Sequence, residues 1–112
     1  MLKNKTTGKN IVKEVIIYRS VWLKAKGLMF TKKIKDKCLI FDFYKPRKVG
    51  LHMLFVFYTI DVLYLNNKKE VIEIKRDFRP FTAYTPKNDA SFVIELPEGK
   101  ANGIKIKDVM SW

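Results

Sequence analysis

The segment from His52 to Leu65 constrains this chain more than any other. Its order is His-Met-Leu-Phe-Val-Phe-Tyr-Thr-Ile-Asp-Val-Leu-Tyr-Leu, almost wholly apolar and without Gly or Pro. It holds the only histidine, His52, and a single acid, Asp61, among residues that favour burial. A run this dense must supply much of the core. It is too long for one ordinary strand of about 5–6 residues. The pattern predicts one strand near His52 to Phe55, a bend near Thr59 and a second strand from Val62 to Leu65. His52 and Asp61 interrupt it, and it is short for a membrane span of about 20 residues. No membrane span is expected.

A length of 112 residues fits one domain. Such a chain buries roughly two thirds of its unfolded surface, enough for a core without metal or disulfide support. The hydrophobic fraction of 47% argues against disorder, and 8 Phe with 5 Tyr favour strands. The lone Cys38 excludes an internal disulfide framework and any multi-cysteine zinc site, and suits a reducing compartment. Met1 to Asn10 carries Lys3, Lys5 and Lys9 with no apolar stretch after them, so no signal peptide is read and a cytoplasmic location is expected.

The net charge of +12 draws a chain weakly to nucleic acid or other anions. Of the 23 basic residues, only Arg19, Arg47, Arg76 and Arg79 are arginine. Lysine is a hydrated point charge, poor at the bidentate contacts that read bases. The charge therefore reads first as a solvated surface and second as a binding footprint.

Along the chain, residues 1–10 are polar and expected to form a flexible segment ahead of a single β-rich domain over 11–112. Ile11 to Tyr18 reads as a strand. Ser20 is placed to cap a short helix, Val21 to Lys26, which Gly27 would end. Trp22 and Leu23 give that helix something to bury, and Leu28 to Phe30 should dock into the core. Cys38 to Phe43 is a second clear strand, and Tyr44 to Gly50 reads as a loop because of Pro46 and Gly50. Asn66-Asn67 is a hairpin turn, and Val71 to Lys75 is the returning strand. Asp77 to Ala90 has no regular period, and irregular segments of that length are often functional. Phe92, Ile94 and Leu96 alternate with Ser91, Val93 and Glu95 as a half-buried strand. Pro97-Glu98-Gly99 makes a turn, and Ile104 to Ile106 and Val109 to Trp112 are strand-like. The expected fold is mostly β: a compact antiparallel β-barrel or sandwich with one or two short helices. A parallel sheet is not expected, since long crossover helices are missing.

Several of these segments together resemble the domain-of-unknown-function 192 family. Gly27-Leu28-Met29 after a short helix is similar to its Gly-Leu-Met motif. Met53 with Asp61 eight residues on is similar to its Trp-Met-x-Asn-Thr…Leu-Asp signature. Tyr84 and Val93-Ile94-Glu95-Leu96-Pro97-Glu98-Gly99 resemble its Tyr…Val-Leu-Glu-x-Pro-x-Gly stretch. Gly103-Ile104-Lys105-Ile106-Lys107-Asp108-Val109 resembles its Gly-Ile-x-x-Gly-Asp-x-Val ending. The chain departs from the family at Phe55 and Val56, which replace Asn and Thr. Leu23 and Lys24 replace Glu and Arg, and Lys107 replaces Gly. The resemblance implies a compact, mostly β fold and no particular activity.

The chemistry that the residues can support is narrow. A nucleophilic dyad could only be Cys38 with His52, and Cys38 opens an apolar strand where small buried thiols are common. His52, Asp61, Cys38 and Asp42 lack any metal-ligand spacing, so no metal site and no cofactor are expected. Asp61, once buried, must find backbone donors or a cation, which points to a structural role before a catalytic one. Asp42, Glu73 and Asp77 are further acids, but nothing in the sequence pairs them. Two segments interleave cations with aromatics: Phe43 to Lys48, and Lys75 to Phe81. That mixture suits phosphate contact with stacking. No nucleic-acid-binding motif and no Gly-rich phosphate loop is present. The expectation is a binding module without catalysis, for a small polar or anionic partner. Its surface would draw on Arg47, Lys48, His52, Asp61, Arg76, Phe78, Arg79 and Tyr84. A sequence-tolerant nucleic-acid binder is the first alternative, and a hydrolase or metal-dependent enzyme joining His52, Asp61 and Asp42 is the second.

Overall fold

The computed structural model describes residues 1–19, 34–48, 50–52 and 58–112. The helix expected at Val21 to Lys26 lies outside them, as does the part of the central run from Met53 to Phe57. The described residues form ten strands: β1 (Leu2–Asn4), β2 (Lys9–Val12), β3 (Glu14–Tyr18), β4 (Lys37–Arg47), β5 (Leu51–His52), β6 (Ile60–Leu65), β7 (Val71–Phe78), β8 (Ala83–Tyr84), β9 (Ala90–Pro97) and β10 (Met110–Ser111).

A five-stranded sheet in the order β3-β4-β9-β6-β7 is the centre of the fold. Both of its faces are apolar. One face contributes Cys38, Ile40, Leu63, Leu65, Ile94 and Leu96, which pack with Leu2, Val12 and Met110 of the three-stranded sheet β10-β1-β2. The other contributes Leu39, Phe41, Val62, Tyr64, Phe78 and Val93, with Tyr84 of the β5-β8 ribbon packed against them. Period-two alternation with two apolar faces explains why all six residues of β6 are buried. The sheets do not close into a barrel; the arrangement is the expected sandwich.

The central run does break into strands at β5 and β6, with a bend at Tyr58. These two strands are not neighbours: β6 lies between β9 and β7, whereas β5 pairs with β8. Five other expectations are corrected. Strand β3 runs parallel to β4, from Glu14 opposite Lys37 to Tyr18 opposite Phe41. Residues 19–36 supply the dozen or more positions that a parallel crossover needs. Tyr44 to Arg47 belongs to β4 and not to a loop. Pro46 is accommodated where the β4–β9 register shifts between Asp42 and Arg47, because a bulge does not require its missing N–H. β9 is buried on both faces, not half-buried. Ile104 to Ile106 is not a strand: Lys100, Asn102, Ile104 and Asp108 each donate their amide to the carbonyl three residues back, giving successive tight turns. The N-terminus, expected to fray, holds β1 between β10 and β2, with Leu2 and Asn4 buried.

Candidate functional site

β7 ends at the buried Phe78, and the chain reverses between two residues of positive φ, Asp77 (51°) and Phe81 (61°). Non-glycine residues seldom adopt that conformation without support. Support comes from the Thr82 hydroxyl, which donates to the Arg79 carbonyl at 2.6 Å, and from the pairing of β8 with β5. The segment then returns across the sheet and is fastened at Glu73. That carboxylate accepts the Tyr84 hydroxyl, the Lys87 amide at 3.0 Å, the Asn88 amide at 3.1 Å and Asn88 Nδ2 at 2.9 Å. Burial alone would push Glu73 upward, but these donors outweigh it and hold its carboxyl below the usual range. The Tyr84 hydroxyl is pushed up to about 12, first by its bond to Glu73. The result is a strapped turn that projects Arg79 and Phe81 outward, Phe81 with 60% exposure.

The expected site residues divide into three groups. His52 and Tyr84 lie on the β5-β8 ribbon, His52 opposite Ala83 and Leu51 opposite Tyr84, so they share an element close to Arg79 in sequence. Arg47 and Lys48 are exposed at the end of β4, where Arg47 lies opposite Ala90 and its guanidinium carbon sits 5.5 Å from the Phe43 ring centroid. Arg76 follows Lys75, which pairs with Val62, itself opposite Glu95. Arg47 and Arg76 are therefore about five residues apart along the sheet and three strands across it, roughly 20 Å. They do not form one surface.

Asp61 and Arg76 act together on the turns that follow β9. Asp61, 1% exposed, accepts the Asp77 amide at 3.1 Å and the Ala101 amide at 3.0 Å. Arg76 donates to the carbonyls of Ala101 at 3.2 Å and Ile104 at 2.7 Å. The backbone donors that a buried Asp61 requires are thus present, although they come from β7 and the distant turn. Phe78, 1% exposed, is a core residue.

Asp42 and Asp61 do not converge. Opposite Phe92 and Leu96 on either side of β9, their backbones are separated by about 16 Å. Asp42 instead pairs with Arg19 at 3.4 Å. Cys38 is fully buried and its thiol is pushed up to about 12 by that burial, which removes its nucleophilicity near neutral pH. It belongs to one core, whereas β5 is paired with the strand of Tyr84, a member of the other. Among the described residues no three His, Cys, Asp or Glu side chains are grouped as a metal site would need.

Sequence reasoning missed Glu95. It lies on the middle strand between Leu39 of β4 and Val62 of β6, on the Tyr84 side of the sheet, and is 7% exposed. Desolvation pushes its carboxyl up to about 8. The alternation of β9 placed it on a wet face; the available signal was its position between Ile94 and Leu96 in a run apolar enough to be central.

These features define a basic, two-cored β-sandwich with one strapped, cation-bearing turn. The chain belongs to the DUF192 family, described as "Uncharacterized ACR", whose model matches residues 2–112. It is 34% identical over 116 residues to a UPF0127 protein of Thermococcus sibiricus, covering 100% of this chain and 74% of that one. It is 31% identical to a UPF0127 protein of Pyrococcus furiosus, covering 97% and 95% of the two chains. A crystal structure of a protein of unknown function from Novosphingobium aromaticivorans superposes with a TM-score of 0.81 at 24% identity, covering 88% of this chain and 74% of that one. That likeness shows the fold alone. Among the described residues no helix is long and apolar enough to cross a membrane.

Proposed function

We propose that this protein is a non-catalytic binding module for a small anionic partner, held at the strapped turn by Arg79 with the β5-β8 ribbon beside it. The observation that carries this reading is the turn itself. It is locked by the Glu73 bonds and by Thr82, and it presents a cation that makes no ion pair among the described residues. The backbone that carries Arg79 is ordered before binding, and its planar guanidinium fork suits an anion's oxygens better than a lysine's point charge does. The net charge of +12 steers anions toward it. A cytoplasmic setting belongs to the same proposal, since the single thiol needs no oxidising compartment.

Calorimetric titration with pyrophosphate at low salt tests the reading. Saturable binding that weakens about tenfold or more in Arg79→Ala, and little in Arg47→Ala, is the expected result. Equal losses in both variants would mean diffuse charge and no site. A single-stranded oligonucleotide that binds far better than pyrophosphate, with affinity falling steeply as salt rises, would favour the nucleic-acid alternative.

A further inference from the structure

Three turns meet at one end of the molecule. The Lys5 amide donates to the Val109 carbonyl at 2.7 Å, the Met110 amide to the Lys69 carbonyl at 2.9 Å, and the Lys107 amide to the Val71 carbonyl at 2.8 Å. The β1–β2 turn, the β6–β7 turn and the turn at residues 105–108 are thereby tied to one another. Val109 accepts from Lys5 and also bridges to Glu70, so Lys5 and Glu70 flank it as neighbouring strands would, about 10 Å apart. The three turns carry Lys5, Lys68, Lys69, Lys105 and Lys107, all exposed except the half-buried Lys69.

None of these lysines makes an ion pair among the described residues. The two acids beside them are already engaged. Glu70 accepts from Asn66 Nδ2 at 2.8 Å, and the buried Asp108 accepts from Asn4 and from the Lys105 amide. The exposed acids Glu14, Asp36, Asp77, Asp89 and Glu98 all lie off these turns. Ile106 stands between Lys105 and Lys107 with 51% of its surface exposed, and every other described isoleucine is buried or half-buried. It is held there: the Asp108 amide closes onto the Lys105 carbonyl at 3.1 Å, and Lys107 is fixed at a φ of 80°. A lone exposed isoleucine is ordinary on a surface. One fixed within a cluster of unpaired lysines matches an anionic bilayer, which takes ammonium groups at its headgroups and an apolar tip at its acyl boundary.

Nucleic acid calls for arginine forks and free aromatic faces. These turns hold no arginine, and the neighbouring Trp112 is taken: Lys69 Nζ lies 3.9 Å from its ring centroid, and Phe92 packs against it edge-on at 5.1 Å. We propose that this end of the protein docks reversibly on an anionic lipid bilayer. Ile106 enters the boundary between headgroups and chains, and Lys5, Lys68, Lys105 and Lys107 contact the lipid phosphates. The surface is separate from the Arg79 turn. It lies at the start of β7, and Arg79 follows the end of that strand, about 25 Å along it.

The test is sedimentation of the full chain with sucrose-loaded vesicles at about 0.1 M salt, made of phosphatidylcholine alone or with about 30% phosphatidylglycerol. Saturable binding to the anionic vesicles, at least about tenfold tighter than to the neutral ones, is expected. A lysine near such a surface strengthens binding about fivefold, so Lys68→Gln combined with Lys105→Gln should weaken it about tenfold or more. Ile106→Ser should weaken it about threefold. Lys35 and Lys100 line a cleft with Pro97, which lies opposite Ile60 at the far end of the sheet. Their paired change to Gln should alter binding less than about twofold. Equal losses from the two lysine pairs, or unchanged binding in Ile106→Ser, would overturn the proposal in favour of diffuse charge. A single-stranded oligonucleotide that binds more tightly than the vesicles, with no effect of Ile106→Ser, would overturn it in favour of nucleic acid. If the lysine variant fails to fold, Ile106→Trp decides. Its added emission should shift to the blue with anionic vesicles and not with neutral ones, and an unshifted spectrum would overturn the docking surface.

Discussion

Asn4 donates from Nδ2 to Asp108 Oδ2 at 2.9 Å, joining positions 104 residues apart. The same oxygen of Asp108 accepts the Lys105 amide at 3.0 Å, while Asn4 Oδ1 accepts the Thr6 and Thr7 amides. Two buried side chains thereby satisfy one turn near each end of the chain. Asn4→Ala should cost about 1–3 kcal/mol, since it strips a donor from a carboxylate and orphans two amides. The bond from Lys105, then that from Asn4, hold the Asp108 carboxyl below its ordinary range. A depressed carboxyl stabilises above its unfolded pKa, and that contribution is lost as pH falls through the lower folded value. Denaturant midpoints should therefore drop on acidification below about pH 4, and the drop should shrink in Asp108→Asn.

Glu73 fastens the returning segment by side-chain bonds alone. Glu73→Ala should destabilise by about 2–4 kcal/mol, because several donors lose one acceptor together. Hydrogen exchange at the Lys87 and Asn88 amides should accelerate in this variant before exchange in β9 does. Tyr84→Phe removes one donor and should cost less, about 1 kcal/mol. Equal exchange rates at Lys87 in Glu73→Ala and the unaltered protein would show that the strap is held by something else.

Lys107 adopts a φ of 80°. Its amide donates to the Val71 carbonyl at 2.8 Å, so the conformation is fixed by the contact with β7. A lysine there bears the steric cost of the left-handed region, roughly 1 kcal/mol, which glycine avoids. Lys107→Gly should raise the denaturation midpoint. The glycine that the family resemblance places at this position has the same physical reason.

Glu95 should make stability fall as pH rises. Its folded pKa, about 8, lies above that of an unfolded glutamate. The native state therefore binds the extra proton between roughly pH 4 and pH 8. Unfolding releases it, so stability decreases with pH across that window, by on the order of several kcal/mol in total. Urea midpoints measured from pH 5 to pH 8 should decline in the unaltered protein and stay nearly flat across that range in Glu95→Gln.

Local patterns were legible in the sequence, and pairings at a distance were not. Asn66 announced the turn between β6 and β7. Its Oδ1 accepts the Lys68 amide at 2.9 Å and its Nδ2 donates to Glu70 at 2.8 Å. The left-handed residue is Lys69, not Asn67, because the Lys69 amide closes back onto the Asn66 carbonyl. The apolar runs of β6 and β9 declared themselves as strands. Nothing local in Glu14 to Tyr18 said that it would lie parallel to β4. The same holds for Glu95: alternation says which residues share a face, and only the strand's place in the sheet says whether that face is dry. Arg76 looked like a ligand-binding cation because the carbonyls that hold it belong to turns 25 and 28 positions later.

The place of β1 in its sheet has a consequence for how the protein is made. Strand β1 lies between Lys9–Val12 and Met110–Ser111, so one of its two partners is close in the chain and the other is far along it. During translation it can form only the β2 hairpin, with its other edge bare. The native core around Leu2 must wait for β10, which makes folding of this domain an event that follows synthesis of residue 111.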